Sequence, residues 1–378
     1  MDITAEVLEI EQELIFFRTW LHQCPETAYE EVETTKWIQG KLDSWGISYE
    51  KLDPTGLIGT VGNGKHVVAL RGDIDALEVT EDTNLPFASK RDGFMHACGH
   101  DGHMAILLGV AKILKKYEKE LDKKILLIFQ PAEEIALGAK KIVDSGVLDE
   151  VEEIFGLHIF SGIEAGKISI EEGARMAATD WFTIEIEGKA GHAGKPHLCV
   201  DATVVAASMV MNLQTIVSRQ SDPLDPLVIT VGHLESGTAR NVISGYAKLE
   251  GTARTFSEEV EKKTRECIIK TAMETGKMYG ANVTIDYPKT SHGPLKNDKG
   301  MVEKIKKGAD KIFDKEDFVH VPPMMLGEDF ANYLTDIKGA FAFVGGGGEY
   351  PNHHSKFDMD SKSLLNGLKL MLAYVLEP

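Results

Sequence analysis

Ten residues concentrate the chemistry of this chain. Met95-His96-Ala97-Cys98-Gly99-His100-Asp101-Gly102-His103-Met104 holds one cysteine and three histidines at what reads as the mouth of a helix. Thiolate and imidazole are ligands that divalent transition metals prefer. Two further stretches carry matching chemistry: Gln130-Pro131-Ala132-Glu133-Glu134 and Gly156-Leu157-His158. Together they read as a metal site gathered from loops remote in sequence. A lone buried cysteine is usually a small hydrophobe. Three histidines within eight positions serve no packing purpose, however, and Gly99 and Gly102 permit a tight loop. Cys98 and His100 are the strongest ligand candidates.

The other residues have bland readings beside the chemical ones. Adjacent carboxylates on a loop are most often simply solvated. At a strand end, Glu133 and Glu134 can divide labour, one binding metal and the other carrying a proton. His158 alone would read as a satisfied core histidine. Asp73 or Asp75 could orient a ligand imidazole from behind. Gly345 to Gly348 lacks the context of a phosphate loop and reads as a turn that lets a ligand approach closely. No GxSxG elbow and no HExxH helix occur, which disfavours serine hydrolase and thermolysin-type chemistry.

The elements that must position these residues follow from hydrophobic spacing. Val7, Ile10, Leu14, Phe17 and Leu21 mark one core-facing helix that Pro25 stops. Three apolar runs, 66–70, 125–129 and 154–157, each end in a chemically loaded loop. Such runs predict buried, largely parallel strands, and open α/β sheets gather sites at strand carboxyl ends. A helix at about 102–117 presents Met104, Leu107, Leu108, Ala111 and Leu114 on one face.

The middle of the chain changes character. Alternation over 180–187, a helix at about 201–218, strands at about 227–234 and 246–254, a helix after Ser257 and a strand at 282–287 give the order β-α-β-β-α-β. That order predicts a ferredoxin-like unit. The first pattern then resumes, with a helix at about 299–313 and an apolar strand, 340–344, leading to His353-His354. The expected fold class is α/β, a mainly parallel-sheet catalytic domain made of 1–178 and 290–378, with a ferredoxin-like domain inserted at 179–289.

At 378 residues, two domains is the natural expectation. A net charge of −18 argues against nucleic acid and anionic membranes as partners. No apolar run is long enough to span a bilayer, which needs about 20 residues. The acidic, polar start at Met1 to Glu6 shows no signal pattern, and four scattered cysteines form no CxxC pair. A cytoplasmic, reducing location is expected.

These motifs resemble the aminoacylase, hippurate hydrolase and indole-acetyl-amino-acid hydrolase branch of the co-catalytic metallopeptidases. The resemblance runs through His22 with Pro25-Glu26, Arg71 to Leu77, His96 to Asp101, Phe129 to Glu134 and Gly156 to His158. It continues through Gly191-His192-Ala193, Arg240 to Ile243, Gly251 to Arg254, Gly327 to Phe330 and His353-His354. It implies a two-metal site with Cys98, His100, Glu134, His158 and His353 as ligands. His353 stands at the family spacing before Phe357, with His354 as its rival. Glu133 would be the general base, Asp73 the supporting carboxylate, and His192 the oxyanion donor on a lid domain. Asn241 and Arg254 would bind substrate. In the wider superfamily a metal-binding histidine stands two residues before Asp73, where this chain has Arg71; that departure fits the cysteine-containing branch. His96 and His103 are left to packing or to support of the ligands.

The resemblance implies an amidohydrolase that splits N-acyl-L-amino acids into a carboxylic acid and a free amino acid. It implies two divalent ions per subunit, Zn²⁺ or Mn²⁺, with Co²⁺ and Ni²⁺ also suited, and a homodimer formed through the lid domain. Ser218 to Pro226 and the paired His353-His354 are similar to N-acetyl-L,L-diaminopimelate deacetylases, which gives a narrower substrate alternative. A metallo-carboxypeptidase or dipeptidase, and a metal-binding dimer without catalysis, are the remaining alternatives.

Overall fold

The computed structural model describes residues 2–288 and 292–377. They form two compact units: Met1–Arg175 with Lys296–Pro322 and Asp329–Pro378, and Met176–Leu295 with Pro323–Glu328. The boundary expected between 289 and 290 lies outside the described residues.

In chain order the first unit begins with α1 (Ile3–Glu9), α2 (Glu11–His22), α3 (Val32–Trp45), β1 (Ser48–Lys51), β2 (Leu57–Val61), β3 (His66–Asp73), α4 (His100–Lys116), β4 (Lys123–Gln130), α5 (Gly138–Asp144), β5 (Glu153–Phe160) and β6 (Ile168–Ser169). After β7 (Gly173–Met176) the second unit runs β8 (Ala178–Glu187), β9 (Gly191–His192), α6 (Ala202–Thr215), β10 (Leu227–Ser236), β11 (Val242–Ile243), β12 (Tyr246–Thr255), α7 (Glu258–Tyr279) and β13 (Asn282–Asp286). Then follow β14 (Leu295–Asn297), α8 (Lys299–Ala309), β15 (Lys338–Gly345) and α9 (Ser361–Leu376).

The first unit is built on a seven-stranded sheet of order β1-β2-β4-β3-β5-β15-β6. Its centre, β4-β3-β5-β15, is parallel, while β2 joins β4, β1 joins β2 and β6 joins β15 antiparallel. The mainly parallel α/β sheet is therefore as expected, and the antiparallel edges are new. Polar, exposed Ser48-Tyr49-Glu50-Lys51 offers no apolar pattern from which an edge strand could be read. Helix α4 is buried nearly all round, not on one face only, because it packs against both the sheet and helices α2, α3 and α9. The single expected N-terminal helix is broken at Ile10 into α1 and α2, although Val7, Leu14, Phe17 and Leu21 still share one core.

The second unit has a four-stranded antiparallel sheet of order β10-β12-β8-β13. Period-two alternation in β8 buries Phe182, Ile184 and Ile186 and leaves Trp181, Glu185 and Glu187 exposed. Helices α6 and α7 cover the buried face with Val205, Ala206, Met209, Leu213, Ile268 and Ala272. Asp201 caps α6 by accepting from the Thr203 N–H at 3.0 Å, and Glu258, Glu259 and Glu261 favour the start of α7.

One close approach in the first sheet bears on the site. A Cβ built on Gly156, two residues before His158, would lie 2.7 Å from Phe330 Cε2 and 2.9 Å from Phe341 Cδ2. Gly156→Val is expected to cost roughly 1–3 kcal/mol by overpacking. Denaturant unfolding measures it, and an unchanged midpoint would contradict this packing account.

Candidate metal centre

The loaded loops converge in the first unit. Gly99, at φ +95°, turns the chain so that Cys98 and His100 face the same point at the start of α4. The His100 Nδ1–H donates to the Asp75 carbonyl at 2.9 Å. Its Nε2 is thereby aimed inward, buried and without a hydrogen-bond partner, 3.6 Å from Asp73 Oδ2 and 3.9 Å from Glu134 Oε1. His158 lies inside β5, not at its end, because the strand continues to Phe160. Its Nδ1–H donates to the Ile159 carbonyl at 2.9 Å, and its Nε2 stands 3.3 Å from Cys98 Sγ. His353 Nε2 approaches the same sulfur at 3.2 Å and Glu134 Oε1 at 3.6 Å.

Five clusters of possible donors occur among the described residues, the atoms of each within 4.8 Å of one another: Cys98-His100-His158, Cys98-Glu134-His353, His100-Glu133-Glu134, Asp73-His100-His103 and Glu133-Glu328-Asp329; the first three join the expected ligands. Glu134 Oε1, like His100 Nε2, is sealed from solvent without a partner. Buried orphans of this kind are costly unless something meets them. A thiol, three imidazoles and the Glu134 carboxylate, with Glu133 beside them, form overlapping clusters whose chemistry suits divalent transition metals.

Electrostatics agrees with that geometry. Burial, with Glu134, Glu133 and Asp73 nearby, pushes the Cys98 thiol well above its usual value. Burial lifts Glu134 to about 7, against the pull of His100. Burial opposes charge on His100, yet Asp73 and its other acidic neighbours raise it to about 10. His158 is held well below the usual histidine range by burial and by His103. These shifts describe a nest of acceptors that attracts a cation.

The supporting residues are equally specific. His103 gives its Nδ1–H to Asp73 at 2.6 Å and accepts the Ile159 N–H on Nε2 at 2.9 Å, so both nitrogens are occupied. Asp73 also accepts from Arg71 at 2.6 Å, and the buried guanidinium reaches Gln130 at 2.8 Å and Asp329 at 3.0 Å. Burial would raise the Asp73 pKa, but Arg71 and the two histidines hold it well below the usual range. Asp75 accepts the Glu134 N–H at 2.9 Å. His96 is buried with neither ring nitrogen partnered and enters none of the donor sets among the described residues. His354 stacks on Tyr350 at 4.7 Å and accepts the Lys356 N–H, so it is turned away from the role His353 takes at the sulfur.

Residues that sequence reasoning missed hold the loops in place. Glu31 accepts the Ala132 N–H at 2.9 Å and the Thr55 hydroxyl at 2.6 Å, fixing the elbow before Glu133. In the sequence, Glu30-Glu31 looks like any solvated acidic pair. Asn352 donates to the Cys98 and Ile159 carbonyls. Its one sequence signal is its place directly before the paired histidines.

The remaining predicted residues belong to the second unit. His192 is exposed on β9, opposite Val242 of β11. Its Nδ1 accepts the Gly194 N–H at 3.0 Å, which leaves the ring proton on Nε2 as a donor. Asn241 is beside it, accepting the Ala193 N–H at 3.2 Å through its carbonyl. Arg254 on β12 donates to the Thr179 hydroxyl, a neutral partner, and burial lowers its pKa. Buried His292 flanks it: a Cβ on Gly327 would lie 3.0 Å from Arg254 Nη1 and 3.2 Å from His292 Nε2.

The comparisons say which class of proteins carries this mainly parallel α/β fold and cysteine-containing cluster. The chain belongs to peptidase family M20/M25/M40, whose profile matches residues 69–377. It is 39% identical over 359 residues to the N-acetyl-L-cysteine deacetylase of Bacillus subtilis (strain 168), covering 94% of this chain and 86% of that one. It is 40% identical over 337 residues to IAA-amino acid hydrolase ILR1-like 4 of Arabidopsis thaliana, covering 88% and 77%. Among solved structures it is similar to the Bacillus subtilis YXEP protein, described as a dinuclear metal binding peptidase of the M20 family. There the TM-score is 0.85 and the identity 34%, over 97% of this chain and 98% of that one.

Behind the centre, Asp101 accepts from His22 at 2.8 Å and from Arg18 at 3.1 Å. Burial disfavours charge on His22, but Asp101 and Glu81 outweigh it and lift the ring from 6.5 to about 9. A raised folded-state value contributes stability in full below the unfolded value, and that contribution is lost as pH rises through about 9. Wild type is therefore expected to lose roughly 3 kcal/mol more than His22→Gln between about pH 6 and pH 10. Parallel pH-stability curves for the two proteins would refute the contribution.

Proposed function

We propose that this protein is a metal-dependent amidohydrolase that cleaves N-acyl amino acids to a carboxylic acid and a free amino acid. The observation that carries the reading is Glu133 standing beside Glu134 at a centre whose donors include Cys98, His100, His158 and His353. Two divalent ions are proposed, Zn²⁺ or Mn²⁺, with Cys98 belonging to both of its donor sets. When bound, such ions lower the pKa of water and polarise an amide carbonyl.

The chain's own residues supply the rest. Glu133 takes a proton from the attacking water and hands it to the leaving amine. Asp73, locked between Arg71 and His103, supports His100. His192 offers its Nε2–H to the developing oxyanion, where a fixed donor gains most. Arg254, paired with a hydroxyl instead of a carboxylate, keeps its charge for the substrate carboxylate, with Asn241 as a second polar contact. The second unit is read as the lid and as the surface through which two copies pair. Its exposed Trp181, Met211 and Met278 support the pairing. Four free cysteines accord with a cytoplasmic location. The relatives, named for N-acetylcysteine and IAA-amino acids, do not favour the diaminopimelate alternative.

Glu133→Gln is expected to lower kcat by roughly 10²–10⁴-fold with metal content unchanged. Activity assays on a panel of N-acyl amino acids, with elemental analysis, test it. Full activity in the variant removes Glu133 from its role, and bound metal without turnover of any amide favours a non-catalytic dimer.

A second expectation concerns the ligands themselves. Cys98 is held as a thiol and Glu134 sits near 7, so metal uptake must expel protons. With His100 raised to about 10 as well, affinity should weaken as pH falls through about 10 and further below about 7, and titration calorimetry in buffers of different ionisation heat should register proton release. Buffer-independent heats would count against these ligands.

A further inference from the structure

Asn352 lies half-buried directly before His353, and the catalytic assignment gives it no role. Its Nδ2 donates to the Cys98 carbonyl at 2.9 Å and to the Ile159 carbonyl at 3.0 Å. Its Oδ1 accepts from the Ser161 N–H at 3.2 Å and lies 3.3 Å from the Ser161 hydroxyl. Two carbonyl oxygens on one side and an N–H on the other fix which end is nitrogen. Only a carboxamide serves both sides. Aspartate would set a carboxylate against two carbonyl oxygens, and leucine would leave both unmet.

The contacts are placed where they matter. The Ile159 carbonyl also accepts the His158 Nδ1–H, at 2.9 Å, so one oxygen is gripped from both sides. That bond directs His158 Nε2 to the Cys98 sulfur. The next residue, His353, has φ +69°, outside the range most side chains favour. Its N–H donates to the Ala97 carbonyl at 2.7 Å, and its ring also meets the Cys98 sulfur. Asn352 and His353 thus join three ligand-bearing segments, at Ala97-Cys98, His158 to Ser161, and His353 itself.

We infer that the Asn352 carboxamide is a positioning group that sets how Cys98, His158 and His353 present their donor atoms to metal. The inference rests on the metal-centre reading proposed above. The hydrogen bonds around a metal ligand commonly govern affinity by 10–100-fold.

The test uses the full-length protein loaded with Co²⁺, whose bond to a thiolate gives a charge-transfer absorption in the near ultraviolet. Asn352→Asp is expected to weaken Co²⁺ binding by roughly 10–100-fold in chelator competition and to diminish that band. Asn352→Gln keeps the donor and should retain more of both. Should Asn352→Asp fail to fold, Asn352→Ser is compared with Asn352→Gln in the same way. Wild-type affinity and absorption in the variant lacking the donor overturn the role, even if its melting temperature falls. Equal losses with and without the donor overturn it too. Wild-type protein that shows no thiolate band at all rejects the metal-centre reading itself, and the positioning role falls with it.

Discussion

Everything at this centre depends on where two imidazole protons are parked. His100 and His158 each spend Nδ1–H on a backbone carbonyl, that of Asp75 and that of Ile159. The other nitrogen of each ring, Nε2, then points only inward. Backbone carbonyls make good anchors because they are immobile and cannot titrate. The Asp75 carboxylate also lies 3.5 Å from His100 Nδ1 and adds its charge there. The sheet supplies those anchors at fixed positions, since Ile159 lies inside β5 and Asp75 stands two residues past the end of β3.

Holding the lone pairs together strains the chain. Outside glycine, positive φ occurs at Tyr29, Asn84, Ala132, Ala136 and His353 among the described residues. The last three belong to the loops that carry the proposed ligands. Such conformations cost about 1–3 kcal/mol each and persist only where surroundings overdetermine them. Glu31 overdetermines Ala132, and the Ala97 carbonyl and the Asn352 contacts overdetermine His353. The loops are thus held by buried hydrogen bonds, and the donors keep their directions without relying on contacts to one another.

Sequence made part of this arrangement visible, for physical reasons. Cys98, His100 and the Glu133-Glu134 pair stand out because such residues, so closely spaced, have no packing use. The parallel strands are legible because burial on both faces demands unbroken apolar runs such as 125–129. Strand β1 was illegible because an exposed edge imposes no such demand, and the break at Ile10 leaves the apolar stripe intact. Glu31 and Asn352 act through backbone groups distant in sequence, and hydrogen bonds over 101 and 254 residues leave no local trace. The sequence offered His353 and His354 as near equals. Stacking on Tyr350 turns one away, and a left-handed backbone turns the other toward the sulfur.

Arg71 shows how one buried cation can fix a neighbouring carboxylate. A full positive charge with no solvent exposure is tolerable only when neutralised, and Asp73 and Asp329 both lie within 3.0 Å of it. The guanidinium is also always charged, so it orients Asp73 at any pH that the fold survives. Its planar fork reaches Gln130, Asp73 and Asp329 at once, and Gln130 in turn binds Asp329 and accepts from Tyr333. Lysine could not span these partners, because its ammonium is a single point. Asp73 is therefore held from one side by a fixed cation and from the other by His103, whose second nitrogen is tied to the Ile159 N–H. Ile159 thus braces the centre twice, with its carbonyl on His158 and its N–H on His103. This one strand residue couples the orientation of a ligand imidazole to that of the carboxylate beside His100.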